Sequence, residues 1–154
     1  MKNTKQIFHI LSYLQYPLLL FAMYFFVKPY FNGMRYLIEN ISIVFESYNN
    51  LLIFMGLAIS FSSLQDTTKT SLNFEKKIWE NPRKGKNVII IISLTTFMIL
   101  AYGIFGYFIT SNENLKELSF GAIVLGIGLI GLLKTGVEIF DNHRMDKNTT
   151  VKNV

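Results

Sequence analysis

Four stretches of this chain carry no charged residue: Gln6 to Val27, Ser47 to Gln65, Asn87 to Asn112 and Leu118 to Leu133. A helix crossing about 30 Å of hydrocarbon needs about 20 mostly apolar residues, so three of these runs are long enough and the fourth is marginal. Val88 to Phe108 shows no polar stripe at helical period, as a helix half-buried in a water-soluble domain would. The pattern predicts an all-α membrane domain over residues 1–146, with spans at about 7–27, 47–65, 87–110 and 118–137 forming two hairpins, and a disordered tail at 147–154. Ile7 to Val27 exceeds the apolar core of a signal peptide, and Lys28-Pro29-Tyr30-Phe31 follows it in place of small residues, so it is expected to remain as a span.

The connections are patterned too. Leu37, Ile38, Ile41, Val44, Phe45 and Tyr48 recur at helical spacing, with Arg35, Glu39, Asn40 and Glu46 between them. They predict a short interfacial helix before the second span, after a turn at Asn32-Gly33, although a plain extension of the second helix fits the same period. In the next connection, Ser71 is expected to cap a second short helix running to Glu80, with Phe74 and Ile78 on its apolar face, and Asn81-Pro82 ends it.

Charge gives the pattern a direction. Lys2, Lys5, the six basic residues from Lys69 to Lys86, and Lys134, Arg144, Lys147 and Lys152 make twelve on one side; Lys28, Arg35 and Lys116 make three on the other. Basic residues stay on the cytoplasmic side, so both termini are expected there. Lys76, Lys77, Trp79, Arg83, Lys84 and Lys86 are the candidate lipid-headgroup residues, the indole as an interfacial anchor and the cations facing an anionic leaflet. A net charge of +5 distributed in this way points to anionic lipid, not nucleic acid. Composition adds one exclusion: with 51% apolar and 16% charged residues, a chain of this size could not cover its surface in water.

The fourth span crowds Gly121, Ala122, Gly126, Gly128, Gly131 and Gly136 into a segment where glycine weakens a helix in water. In lipid, small residues let backbones approach, so these, with Gly56 and Ser60 of the second span, are the candidate helix-packing residues; at 100° per residue Gly121, Gly128, Gly131 and Gly136 share one broad face and Ala122 and Gly126 another, so the helix is expected to pack on two sides. Gly126-Ile127-Gly128-Leu129-Ile130-Gly131 also fits a dinucleotide-binding string, but that fingerprint requires a strand before it and an exposed helix start. Ile53 to Ile59 aligns with Ile123 to Leu129 at a spacing of 70, as a duplicated hairpin would.

Candidate chemistry is sparse. His9 is the sole ionisable residue within an uncharged run, and it stands near the end of its span. Gln15, Ser60, Ser63, Thr95 and Thr96 could line a polar path if they converge, and Pro17 is expected to kink the first helix near Tyr13. Glu138, Asp141, His143 and Asp146 hold one histidine and no familiar ligand spacing, which reads as a solvated helix end with Lys134. The absence of cysteine excludes disulfides and thiolate sites.

Phe54 to Thr70, followed by Ile78-Trp79-Glu80-Asn81-Pro82, resembles uncharacterised small four-helix membrane proteins of Bacteroidota. The resemblance implies a bacterial inner membrane and brings no activity or site residue. The expected role is a non-enzymatic packing, assembly or accessory subunit, without cofactor or metal, whose glycine-rich fourth helix meets another copy or a membrane-protein partner through small-residue contacts. The alternative is an oligomeric channel or small-molecule transporter.

Overall fold

The computed structural model describes residues 2–68 and 73–147. Among these the chain is helical without strands, and four helices are long and apolar enough to cross a membrane. Ser71 and the tail from 148 onward lie outside the described residues.

Helix α1 (Lys2–Ser12) and helix α2 (Gln15–Val27) together form the first candidate span. Pro17 has no N–H to give the Tyr13 carbonyl, so the chain tightens there. Tyr13 N donates to Ile10 O (3.1 Å), Leu14 N to Leu11 O (3.1 Å) and Tyr16 N to Tyr13 O (3.2 Å). A 3₁₀ turn, Lys28–Asn32, and Gly33 at φ 83° then reverse the chain. That φ lies in the left-handed region, where a side chain is strained.

Helix α3 (Met34–Glu39) is short, and helix α4 (Ile41–Ser62) is continuous. The segment expected to be a separate interfacial helix therefore divides at Asn40, whose backbone is non-helical (φ −129°, ψ 57°). Everything from Ile41 onward belongs to the second span. Helix α5 (Asn73–Glu80) stops at Asn81, whose Oδ1 accepts from the Arg83 N–H (3.0 Å) and Lys84 N–H (3.2 Å). Those bonds begin helix α6 (Pro82–Ile109), with Pro82 placed where its missing N–H costs nothing. Arg83, Lys84 and Lys86 thus stand on the first turns of a helix. Asn112 caps helix α7 (Glu113–His143) in the same manner, its Oδ1 accepting from Leu115 N (3.3 Å). The cap and the charged final turns lengthen a marginal fourth run into a 31-residue helix.

The four long helices pack in the order α2, α4, α7, α6. Helix α7 lies between α4 and α6, and α2 packs chiefly on α4. Facing residues on α4 and α7 rise together, Asn49 with Gly121, Gly56 with Val124 and Leu125, and Ser63 with Gly131 and Thr135. These two helices run in parallel. Facing residues on α6 and α7 run in opposite senses, Gly106 with Ser119, Gly103 with Ile123 and Leu100 with Gly126.

The interior is built from small residues. Ala22, Ala58 and Ala122 are buried, the largest fully buried side chains among the described residues are only Ser12, Ser47 and Ser119, and large apolar residues such as Leu20, Phe97 and Phe108 point outward. Water would impose the reverse arrangement; hydrocarbon does not, because lipid tails solvate Leu and Phe as well as a protein core does.

Candidate functional site

Three places gather the residues that the sequence singles out: the seam on either side of α7, the charged end where α5 meets α7, and the polar positions within the spans.

At the seam, glycines remove the atoms that would hold helices apart. A Cβ on Gly56 would stand 2.6 Å from Val124 O and 2.8 Å from the Leu125 backbone, and one on Gly128 would meet the Gly56 carbonyl. Gly121 makes room for Asn49, whose Oδ1 and O lie 2.6 and 2.8 Å from that position. Gly131 faces the Ser63 side chain, while Gly126 turns the other way, onto Leu100 of α6. Ala122 is buried, and Ser60 donates to its own helix at Gly56 O (2.9 Å). The seam also uses Gly103 and Gly106 of α6, which receive Ile123 and Ser119 of α7. The small-residue argument applied to α7 would have found that pair on α6, three residues apart on an otherwise bulky apolar helix. These glycine faces are covered within the chain.

At the charged end, the Phe140 ring is the hub. It packs where a Cβ on Gly85 would stand, lies 6.5 Å from the Trp79 ring, and carries the Arg144 guanidinium 4.9 Å from its centre. Trp79 is 7% exposed and reaches toward Gly136. The indole turns inward onto α7, so its place differs from the headgroup contact expected of a tryptophan flanked by charges. Apolar area on α7, left open by Gly136, decides its direction. Met145 N donates to Glu80 O (3.2 Å), which fastens the end of α5 to the chain after α7.

Arg144 holds Asp146 through two bonds of 2.7 and 2.5 Å and approaches Asp141 at 3.8 Å. Its guanidinium, chiefly by hydrogen bonding, keeps the Asp146 carboxyl below the ordinary carboxylate value, and Asp146 raises Arg144 in return. Lys76 pairs with Glu80 (3.8 Å). Lys77, Arg83, Lys84 and Lys86 are exposed around this platform.

The four residues considered for a metal are engaged elsewhere. Glu138 pairs with Lys134 (3.1 Å), His143 Nδ1 lies 2.9 Å from Ile139 O, and Asp141 and Asp146 serve Arg144 and Lys147. Among the described residues no group of three His, Cys, Asp or Glu could hold a metal ion.

The polar positions of the spans are not brought together. Gln15 lies on α2 and Thr96 on α6, at opposite ends of the row. Thr96 donates to Ile92 O (2.7 Å) and Ser63 to Ser60 O (2.7 Å), each hydroxyl satisfied by its own helix, while Thr95 faces outward. His9 is exposed on α1, with its Nε2 3.4 Å from the Tyr13 hydroxyl. Thr135 alone among these hydroxyls bridges helices, donating to Ser63 O (3.0 Å) as well as Gly131 O (3.1 Å). No protein-family model, curated protein or solved structure matches the chain.

Proposed function

We propose that this chain is a non-enzymatic multi-pass protein of a bacterial inner membrane, arranged as two hairpins with both termini cytoplasmic, which serves as an assembly or accessory subunit for another membrane protein or for further copies of itself. The observation that carries the reading is the row itself: α2 and α6 each border one long helix and leave a broad face open, while ionisable chemistry is confined to the ends. The glycines of α7 supply rigidity rather than the outward contact, because α4 and α6 already cover them. Lys76, Lys77, Arg83, Lys84 and Lys86 anchor the basic end to anionic headgroups, each contributing about 1 kcal/mol near such a leaflet. Helices α3 and α5 lie at the two membrane surfaces.

A photo-crosslinking side chain placed at Leu20 on α2 or Leu94 on α6, both largely exposed, tests the reading in native membranes. The expected result is a discrete protein adduct from at least one position, at twice the chain's 17.8 kDa mass if the partner is a second copy. Adducts to lipid alone at both positions would sink it.

A further inference from the structure

The first candidate span is longer than a crossing requires. It runs from Gln6 to Phe31, 26 residues where about 20 suffice, and the surplus lies in α1. We infer that α1 does not cross the membrane but lies flat on the bilayer surface at the amino-terminal side, cytoplasmic in the reading above, hinged to α2 at Tyr13-Leu14. The inference rests on the chain being a membrane protein and not on its assembly role.

The register of α2 against α4 marks where the crossing ends. Phe21 and Phe25 pack on Phe54 and Phe26 on Tyr48, with ring centres 5.4 to 6.4 Å apart, so the two helices are antiparallel. Continued at equal rise, that pairing sets Tyr13 and Leu14 level with the end of α4 at Ser62. Helix α4, about 33 Å long, already matches the hydrocarbon, and charged Asp66 follows it. Helix α1 therefore projects past the bilayer edge. Beyond that edge α6 carries Arg83, Lys84 and Lys86, and α7 carries Lys134, Glu138 and Asp141, as helices in water do. Helix α1 instead presents Ile7, Phe8, Ile10 and Leu11, all exposed. Standing upright, it would hold these four in water, at a cost that lying against lipid removes.

The sequence of α1 suits a lipid surface. At 100° per residue those four positions share one arc, and Lys2, Lys5, Gln6 and His9 fall on the opposite one. This is the division of an in-plane amphipathic helix, whose apolar side enters the acyl boundary. Helix α1 has two lysines and no acidic residue, which complements lipid phosphates. The join is also built to bend. The N–H groups of Tyr13, Leu14 and Tyr16 reach carbonyls three residues back instead of four, and Pro17 offers none. Ser12 Oγ donates to His9 O (2.7 Å), a side-chain bond of the kind that bends helices.

The chain has no cysteine, so single cysteines introduced from Gln6→Cys to Leu14→Cys, omitting buried Ser12, give unique spin-label sites. All of them are exposed, so labels there leave the packing in place. The full chain is reconstituted in liposomes of phosphatidylglycerol and phosphatidylethanolamine, and each label's collisions with oxygen, which enters lipid, are compared with those of a water-soluble nickel chelate. The oxygen-to-nickel ratio should oscillate with a period of 3.6 residues, high at Ile7, Phe8, Ile10 and Leu11 and several-fold lower at Gln6 and His9. A ratio climbing steadily from Gln6 to Leu14 would mean an upright crossing. Nickel access at every site would mean a helix standing in water, and protection from both reagents a helix buried against protein. Any of these three overturns the proposal. A label at Leu94→Cys, on the outward face of α6, should read deep in the same liposomes; a shallow value there would overturn the membrane reading itself, and the proposal with it.

Discussion

One methyl group separates contact from collision where α4 crosses α7. At Gly128 the missing Cβ is occupied by the Gly56 carbonyl, a backbone atom that cannot turn aside, whereas at Gly136 the nearest atom is the edge of Trp79 at 3.6 Å, an ordinary van der Waals distance. Gly128→Val should therefore lower stability by about 1–3 kcal/mol, the range for overpacking a close contact. Gly136→Ala should be neutral or slightly stabilising, because alanine is the better helix former. Thermal unfolding in mild detergent separates the two, and equal losses would show that the approach of α4 and α7 is not limited by Gly128. The small-residue pattern of α7 and its division into two faces were legible in the sequence, but which neighbour each face meets was not. Which glycine faces α4 and which faces α6 depends on helix rotation, and an all-round apolar helix carries no polar stripe from which to read it.

Spans are the most legible elements, because the length of an uncharged run maps directly onto bilayer thickness. Their ends were less so. Asn81 and Asn112 set the starts of α6 and α7 beyond the uncharged runs, since capping needs only one side-chain oxygen, and Asn40 splits a segment whose apolar period continues across it. The clip between α5 and α7 was invisible for a different reason: Trp79 is far in sequence from Phe140 and Arg144 and meets the Phe140 ring only through packing. Its charge predicts a pH window. Asp146 has a lowered folded-state pKa, so its stabilising contribution is fully present above the ordinary carboxylate value, about 3.9, and is lost as the pH falls through the lowered value. Trp79 is the sole tryptophan, which makes acrylamide quenching of its emission a direct report on the clip. Asp146→Asn should be quenched more than the unaltered protein at pH 7, and the difference should begin to shrink near pH 4 and close as the pH falls through the lowered value. A difference constant from pH 7 to pH 2 would show that the carboxylate does not hold Arg144 on Phe140.

For the molecule as a whole, the order α2, α4, α7, α6 reads the same when its halves are exchanged, each half giving one inner and one outer helix. The spacing of 70 between Ile53 and Ile123 points to the two inner helices, and in the structure these pack in parallel through Gly56 and Gly128. Joining the halves is thus the task of one helix pair, aided by the α5 clip. Helices already inserted in lipid find each other by packing, without needing a connecting loop to fold. Two co-expressed pieces, residues 1–70 and 71–154, should therefore associate in the membrane and co-purify in mild detergent. Gly56→Leu in the first piece or Gly128→Leu in the second should abolish co-purification while leaving each piece inserted, because a leucine side chain cannot fit where backbones touch. If the pieces fail to associate, or if both leucine variants still associate, the α4–α7 seam is not what unites the row, and cohesion must be sought at the charged end around Phe140.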